Sequence, residues 1–139
     1  MADQKSPLEV AYFAGFFDGE GMVAIYDKSS SYRIVLANTD VRPLKRAKEL
    51  WGGHLYCQSR DTTKFALQDL WRWQLCGQEA GGFLEDIRPY LMLKAEQADV
   101  FLEVLQHLPN GRGERRGPGA TDAIQAADRR LRLLKRGVA

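Results

Sequence analysis

Cysteine is nearly absent from this chain. Cys57 and Cys76 are the only two in 139 residues, and they lack CxxC spacing. That argues against a zinc centre or a disulfide framework and makes them reduced packing residues in strand-like segments. Missing too is any apolar run near the ~20 residues that a membrane span needs. Residues 1–7 are polar and have no apolar signal-peptide core. The expected location is the cytoplasm, in association with the nucleoid, or an organelle; neither secretion nor a membrane is expected. There is no internal repeat. There is no terminal Cys, Ser or His-Asn splicing block either, which argues against an intein. Net charge is only +2, so bulk charge makes no case for nucleic acid.

What is present is an ordinary globular mixture, 45% hydrophobic and 27% charged. The length suits one domain over 1–139 that buries its own core. Residues 1–7 read as a flexible start, 110–120 as a Gly- and Arg-rich loop, and 121–136 as a C-terminal helix. Charge is unevenly spread. Residues 110–136 hold eight basic and three acidic residues, a local +5, which leaves −3 for the rest. Arg112, Arg115 and Arg116 in that loop are candidates for phosphate contact.

Periodicity gives an order of elements. Ser6 and Pro7 open a helix over residues 7–18. Strands are expected over 22–26 and 32–37. A capping cluster, Asn38-Thr39-Asp40, opens a helix over 41–51. Further strands cover 54–59 and 68–76. In the last, Trp71, Trp73 and Leu75 alternate with Leu70, Arg72, Gln74 and Cys76. Helices follow over 78–87, 93–108 and 121–135. The expected architecture is α+β: one four-stranded antiparallel sheet with helices on a single face and the other face open.

The most informative stretch is Tyr12-Phe13-Ala14-Gly15-Phe16-Phe17-Asp18-Gly19-Glu20-Gly21. Small residues inside a bulky apolar helix let two helix backbones approach closely. Asp18 and Glu20 follow, with Gly19 and Gly21 interleaved and expected to release the helix through unusual backbone angles. A carboxylate at the end of a packed helix pair suits a shared divalent metal.

This stretch resembles the signature of the LAGLIDADG homing endonucleases, with aromatics replacing aliphatics and Glu20 in place of the last Asp. A second match is Arg88 to Ala98, similar to the family's PFLxLKxxQA segment. The resemblance covers about residues 8–110. It implies the family's α-β-β-α-β-β-α fold with a saddle-like sheet. It also implies the single-motif branch: a homodimer paired through Phe13, Ala14, Gly15, Phe17 and Asp18. Asp18 is expected to accept hydrogen bonds at a helix N-terminus of the partner chain.

The implied activity is metal-dependent cleavage of double-stranded DNA at a long pseudo-palindrome, leaving 3′ overhangs, in a protein carried by a mobile intron. The metal is magnesium (Mg2+), with Mn2+ able to substitute and Ca2+ supporting binding without cleavage. Glu20 and the Gly19 carbonyl are the expected ligands. Lys94 would act near the attacking water. Asn38 and Arg42 are candidates for the remaining polar positions, though Asn38 also reads as a plain helix cap. The open sheet face would read the major groove through Tyr26, Lys28, Arg33, Val35, His54, Tyr56, Gln58, Arg60, Arg72 and Gln74. No small-molecule substrate is expected. Competing readings are a non-cleaving DNA-binding regulator, an RNA maturase on the same fold, or a protein-interaction domain that binds through the open sheet.

Overall fold

The computed structural model describes residues 5–26, 31–58, 69–108 and 120–137. Helix α1 spans Pro7–Glu20. It starts as the sequence suggests: Ser6 Oγ accepts from the Glu9 N–H at 3.2 Å, and Pro7 occupies the first turn. It ends two residues later than expected. Gly19 is still helical, and Gly21 leaves in an extended conformation at φ −76°. Neither glycine adopts the unusual angles expected of it. Gly21 is needed for space instead, since a Cβ there would lie 2.2 Å from Phe17 Cδ2.

Strands β1 (Gly21–Tyr26) and β2 (Ser31–Asn38) pair antiparallel, with Gly21 opposite Leu36. Strands β3 (His54–Gln58) and β4 (Leu70–Cys76) form the second antiparallel pair. Pairing of β2 with β4, Ile34 opposite Leu75 and Leu36 opposite Trp73, joins them into one sheet ordered β1-β2-β4-β3. Period-two alternation then sorts the side chains. Val23, Ile25, Ile34, Leu36, Trp73 and Leu75 belong to the core under the helices. The other face carries Arg33, Val35, Arg72 and Gln74, as the alternation predicts.

Helix α2 (Arg42–Trp51) ends at Gly52 and Gly53, whose φ values of +77° and +90° favour glycine. Helix α3 (Gly77–Ile87) and a 3-10 turn (Arg88–Tyr90) follow. Helix α4 runs Ala95–Leu105 and α5 Ala120–Lys135. An aromatic cluster joins helices to sheet: Trp51 meets Phe83 edge-on at 4.8 Å, and Phe83 meets Trp73 at 5.2 Å. Trp73 keeps its polar end satisfied by donating Nε1–H to the Gly52 carbonyl at 2.8 Å. Helix α5 packs on α4 and β1, with Ile124 and Leu131 buried. No helix among the described residues is long and apolar enough to cross a membrane.

Candidate functional site

The site forms where α1 runs into β1. Helix α1 is apolar around its whole circumference, so packing rather than pattern decides which side faces inward. Phe13, Ala14 and Phe17 are at most 1% exposed and belong to this chain's own core. The expectation that they form a dimer interface is therefore corrected. The outward stripe is Leu8, Tyr12, Gly15 and Gly19, with Phe16 half-buried beside it. Leu8 is 85% and Tyr12 56% exposed. A Cβ at Gly15 or Gly19 would meet nothing within 4 Å.

Asp18 also differs from expectation. Its carboxylate accepts the N–H groups of Met92 at 2.8 Å, Leu93 at 3.1 Å and Lys94 at 2.9 Å, all in its own chain. It thus caps the approach to α4, whose own first residues supply no side-chain cap. Helix α4 begins at Ala95 rather than residue 93, directly after the three amides that Asp18 holds. The Lys94 ammonium completes the joint by donating to the Asp18 carbonyl oxygen at 2.5 Å.

Glu20 projects from the last turn of α1 and is exposed, with no hydrogen bond or ion pair among the described residues. Gly19 beside it is exposed as well. No group of three metal-binding side chains surrounds them among the described residues. A single free carboxylate with a neighbouring carbonyl still fits a hard cation that takes one or two carboxylates and fills its shell with water and phosphate.

Strand register puts Asn38 two residues beyond Leu36, the partner of Gly21, hence level with the end of α1. Asn38 Oδ1 accepts the Asp40 N–H at 2.8 Å, a local turn. Arg42 forms a two-toothed pair with Asp40, at 2.6 Å and 3.0 Å. That pair holds the Asp40 carboxyl down at about 2, chiefly through the side-chain hydrogen bond. Asn38, Asp40 and Arg42 line an open cavity of about 570 Å³ with Tyr12 and Phe16 of α1.

On the open sheet face, His54 stacks on Tyr56 at 5.2 Å, and Arg72 Nε donates to Gln58 Oε1 at 2.7 Å. The Arg33 guanidinium lies 5.6 Å from the centre of the exposed Tyr26 ring. Gln74 lies between Val35 and His54 in the register. Val35 is on this face but only 4% exposed. It is therefore a poor candidate for groove contact. Lys28, Arg60, Arg112, Arg115 and Arg116 lie outside the described residues. Sequence reasoning missed the stripe of Leu8 and Tyr12, which shares one helical face with Gly15 and Gly19 but which no polar pattern in α1 marks as outward. It also missed Lys135, which donates to the Val23 carbonyl; no local signal marks it.

No family model and no curated protein matches the sequence. Solved structures do match. The homing endonuclease I-CvuI, bound to its target with calcium, is 21% identical, with a TM-score of 0.71 over 92% of this chain and 82% of that one. I-CvuI bound to the I-CreI target with magnesium, the DNA not cleaved, is 18% identical, with a TM-score of 0.58 over 89% of this chain and 94% of that one. A double mutant of I-SmaMI is 12% identical, with a TM-score of 0.58, covering 98% of this chain and 46% of that one. The chain has the fold of these homing endonucleases.

Proposed function

We propose that the chain is a LAGLIDADG homing endonuclease that cuts double-stranded DNA as a homodimer. The observation that carries this reading is the joint at the end of α1. Glu20 is exposed and unpaired among the described residues, and Lys94 is fixed on Asp18, two residues before it. The fold it shares with endonucleases bound to DNA supports the same reading.

One carboxylate and one carbonyl leave most of a cation's shell to water and phosphate, and a second copy of the chain would add a second carboxylate. The stripe of Leu8, Tyr12, Gly15 and Gly19 supports pairing: it is apolar, exposed and indented at its glycines. A two-fold axis along it would bring the two Glu20 carboxylates together. Met92 and Leu93, 87% and 77% exposed beside Asp18, extend the apolar surface.

Glu20 and the Gly19 carbonyl would hold magnesium, which when bound lowers the pKa of water and neutralises phosphate charge. Lys94 steadies negative charge developing on the phosphate, from an ammonium held in place before substrate arrives. Arg42 can serve the phosphate only after releasing Asp40. The open face, with Tyr26, Arg33, His54, Tyr56, Gln58, Arg72 and Gln74, lies in the major groove. A dimer presents this face twice, so the target is long and pseudo-palindromic, and cutting leaves 3′ overhangs.

The test selects duplexes from a randomised library in calcium, then adds magnesium or manganese and sequences the new ends. Symmetric cutting of a pseudo-palindrome by the parent, absent in Glu20→Gln, is the expected result. Selective binding with no cut in either metal would replace this reading with that of a non-cleaving DNA-binding regulator.

A further inference from the structure

Two lysines far apart in sequence converge on the exit of α1. The Lys94 ammonium donates to the Asp18 carbonyl oxygen at 2.5 Å. The Lys135 ammonium, from the last turn of α5, donates to the Val23 carbonyl oxygen in β1. Glu20 lies between those two carbonyls in the chain. Packing of α5 against α4 and β1 is what brings Lys135 there.

The two ammonium groups act on each other. Partial burial pushes the Lys135 amine below the ordinary lysine value; Asp128 pulls it back up, and the charge of Lys94 pushes it down again. The attraction of Asp128 outweighs the repulsion by Lys94, but Asp128 makes its contact with Arg132, at 3.1 Å, rather than with Lys135. Among the described residues neither ammonium has an ion-pair partner. Two ammonium groups held on carbonyls five residues apart offer an incoming anion two cations at one turn. Lys135 is exposed, as Arg129, Arg130 and Arg136 are, but its ammonium donates to a strand carbonyl.

We infer that Lys94 and Lys135 together form a phosphate-binding site beside Glu20, with α5 supplying the second cation. That the phosphate belongs to DNA rests on the nuclease reading above. The C-terminal helix thereby becomes part of the nucleic-acid site rather than a basic appendage.

The full chain is tested in two arms. In the first, inorganic phosphate is titrated against the free protein while the Val23 and Lys94 amide resonances are followed. The parent should show saturable shifts. Lys135→Met should bind about tenfold more weakly, since one charged hydrogen bond is lost, and Lys135→Arg should retain most of the affinity. In the second arm, a pool of randomised duplexes is bound in calcium at several salt concentrations. Lys135→Met should lower the slope of log affinity against log salt by about one, and Lys135→Arg should keep the parent's slope.

Parent-like phosphate affinity and slope in Lys135→Met would overturn the inference and leave Lys135 as a cap on a strand-edge carbonyl. Losses in Lys135→Met that Lys135→Arg does not recover, accompanied by a lower unfolding midpoint, would also overturn it. If both arms behave as expected but the parent cuts no DNA in magnesium, the anion site stands and the nuclease reading falls.

Discussion

Asp18 and Lys94 hold each other twice. The carboxylate of Asp18 takes the Lys94 N–H at 2.9 Å, and the Lys94 ammonium takes the Asp18 carbonyl at 2.5 Å. Residues 76 positions apart are thereby fixed at one point, with Glu20 two residues beyond. Asp18→Ala strips acceptors from three amides at the head of α4 and should lower stability by about 2 kcal/mol. Urea unfolding measures this. Because the bonds are within one chain, the loss should be the same at low and high protein concentration. A loss seen only at concentrations where the chain pairs would show that Asp18 works across an interface instead.

Gly15 and Gly21 should respond in opposite ways. A Cβ at Gly15 meets nothing within 4 Å. Gly15→Leu should therefore stabilise the folded monomer by about 0.8 kcal/mol through helix propensity. The same leucine would hold two α1 helices apart, so self-association measured by sedimentation should disappear. Gly21→Ala drives a Cβ to within 2.2 Å of Phe17, in a core with no room to yield. It should cost about 1–3 kcal/mol by denaturation. A dimer that persists in Gly15→Leu would remove the pairing surface proposed here.

The two glycines also show what the sequence could and could not say. Strand positions and faces were legible, because Trp71, Trp73 and Leu75 alternate with Arg72 and Gln74 and alternation is local. The start of α1 was legible from Ser6 and Pro7. Which side of α1 faces inward was not. Phe13, Phe16 and Phe17 are all apolar, and only the placement of Phe83 and Trp51 decides that Phe13 and Phe17 are covered. Asp18 could be read as a cap receiver, but its donors lie 74 to 76 residues on. Nothing local distinguishes donors in the same chain from donors in a partner. Lys135 meets Val23 across 112 residues for the same reason.

Asp40 gives a pH signature. Its carboxyl sits at about 2 rather than 3.8, mainly through the hydrogen bond from the Arg42 side chain, helped by the Arg42 N–H. A carboxylate lowered in the folded state contributes stability that is fully present above its unfolded value. That contribution is lost as pH falls through about 2. In a carboxyl-carbon NMR titration, Arg42→Met should move the Asp40 midpoint up toward the ordinary value. Bound target DNA should do the same in the parent, if Arg42 leaves Asp40 for a phosphate. An Asp40 midpoint unchanged by DNA would mean that Arg42 stays with Asp40 and does not serve the cleavage site.

Arg33 and Arg72 share the open face but start from different states. Arg72 Nε is already engaged by Gln58 at 2.7 Å, so a base acceptor must displace that bond. Arg33 Nε is buried and has no hydrogen-bond partner among the described residues, while its guanidinium rests over Tyr26. A base edge contacting Arg33 therefore forms a bond without breaking one. Arg33→Met should weaken binding to the selected duplex by about 1–3 kcal/mol and relax preference at one base pair per half-site. Arg72→Met should cost less, because Gln58 is freed to take its place. Binding in calcium to the selected duplex and its single-base variants measures both. An equal, sequence-independent loss for the two would reduce Arg33 to a phosphate contact and move base reading to other residues of the face.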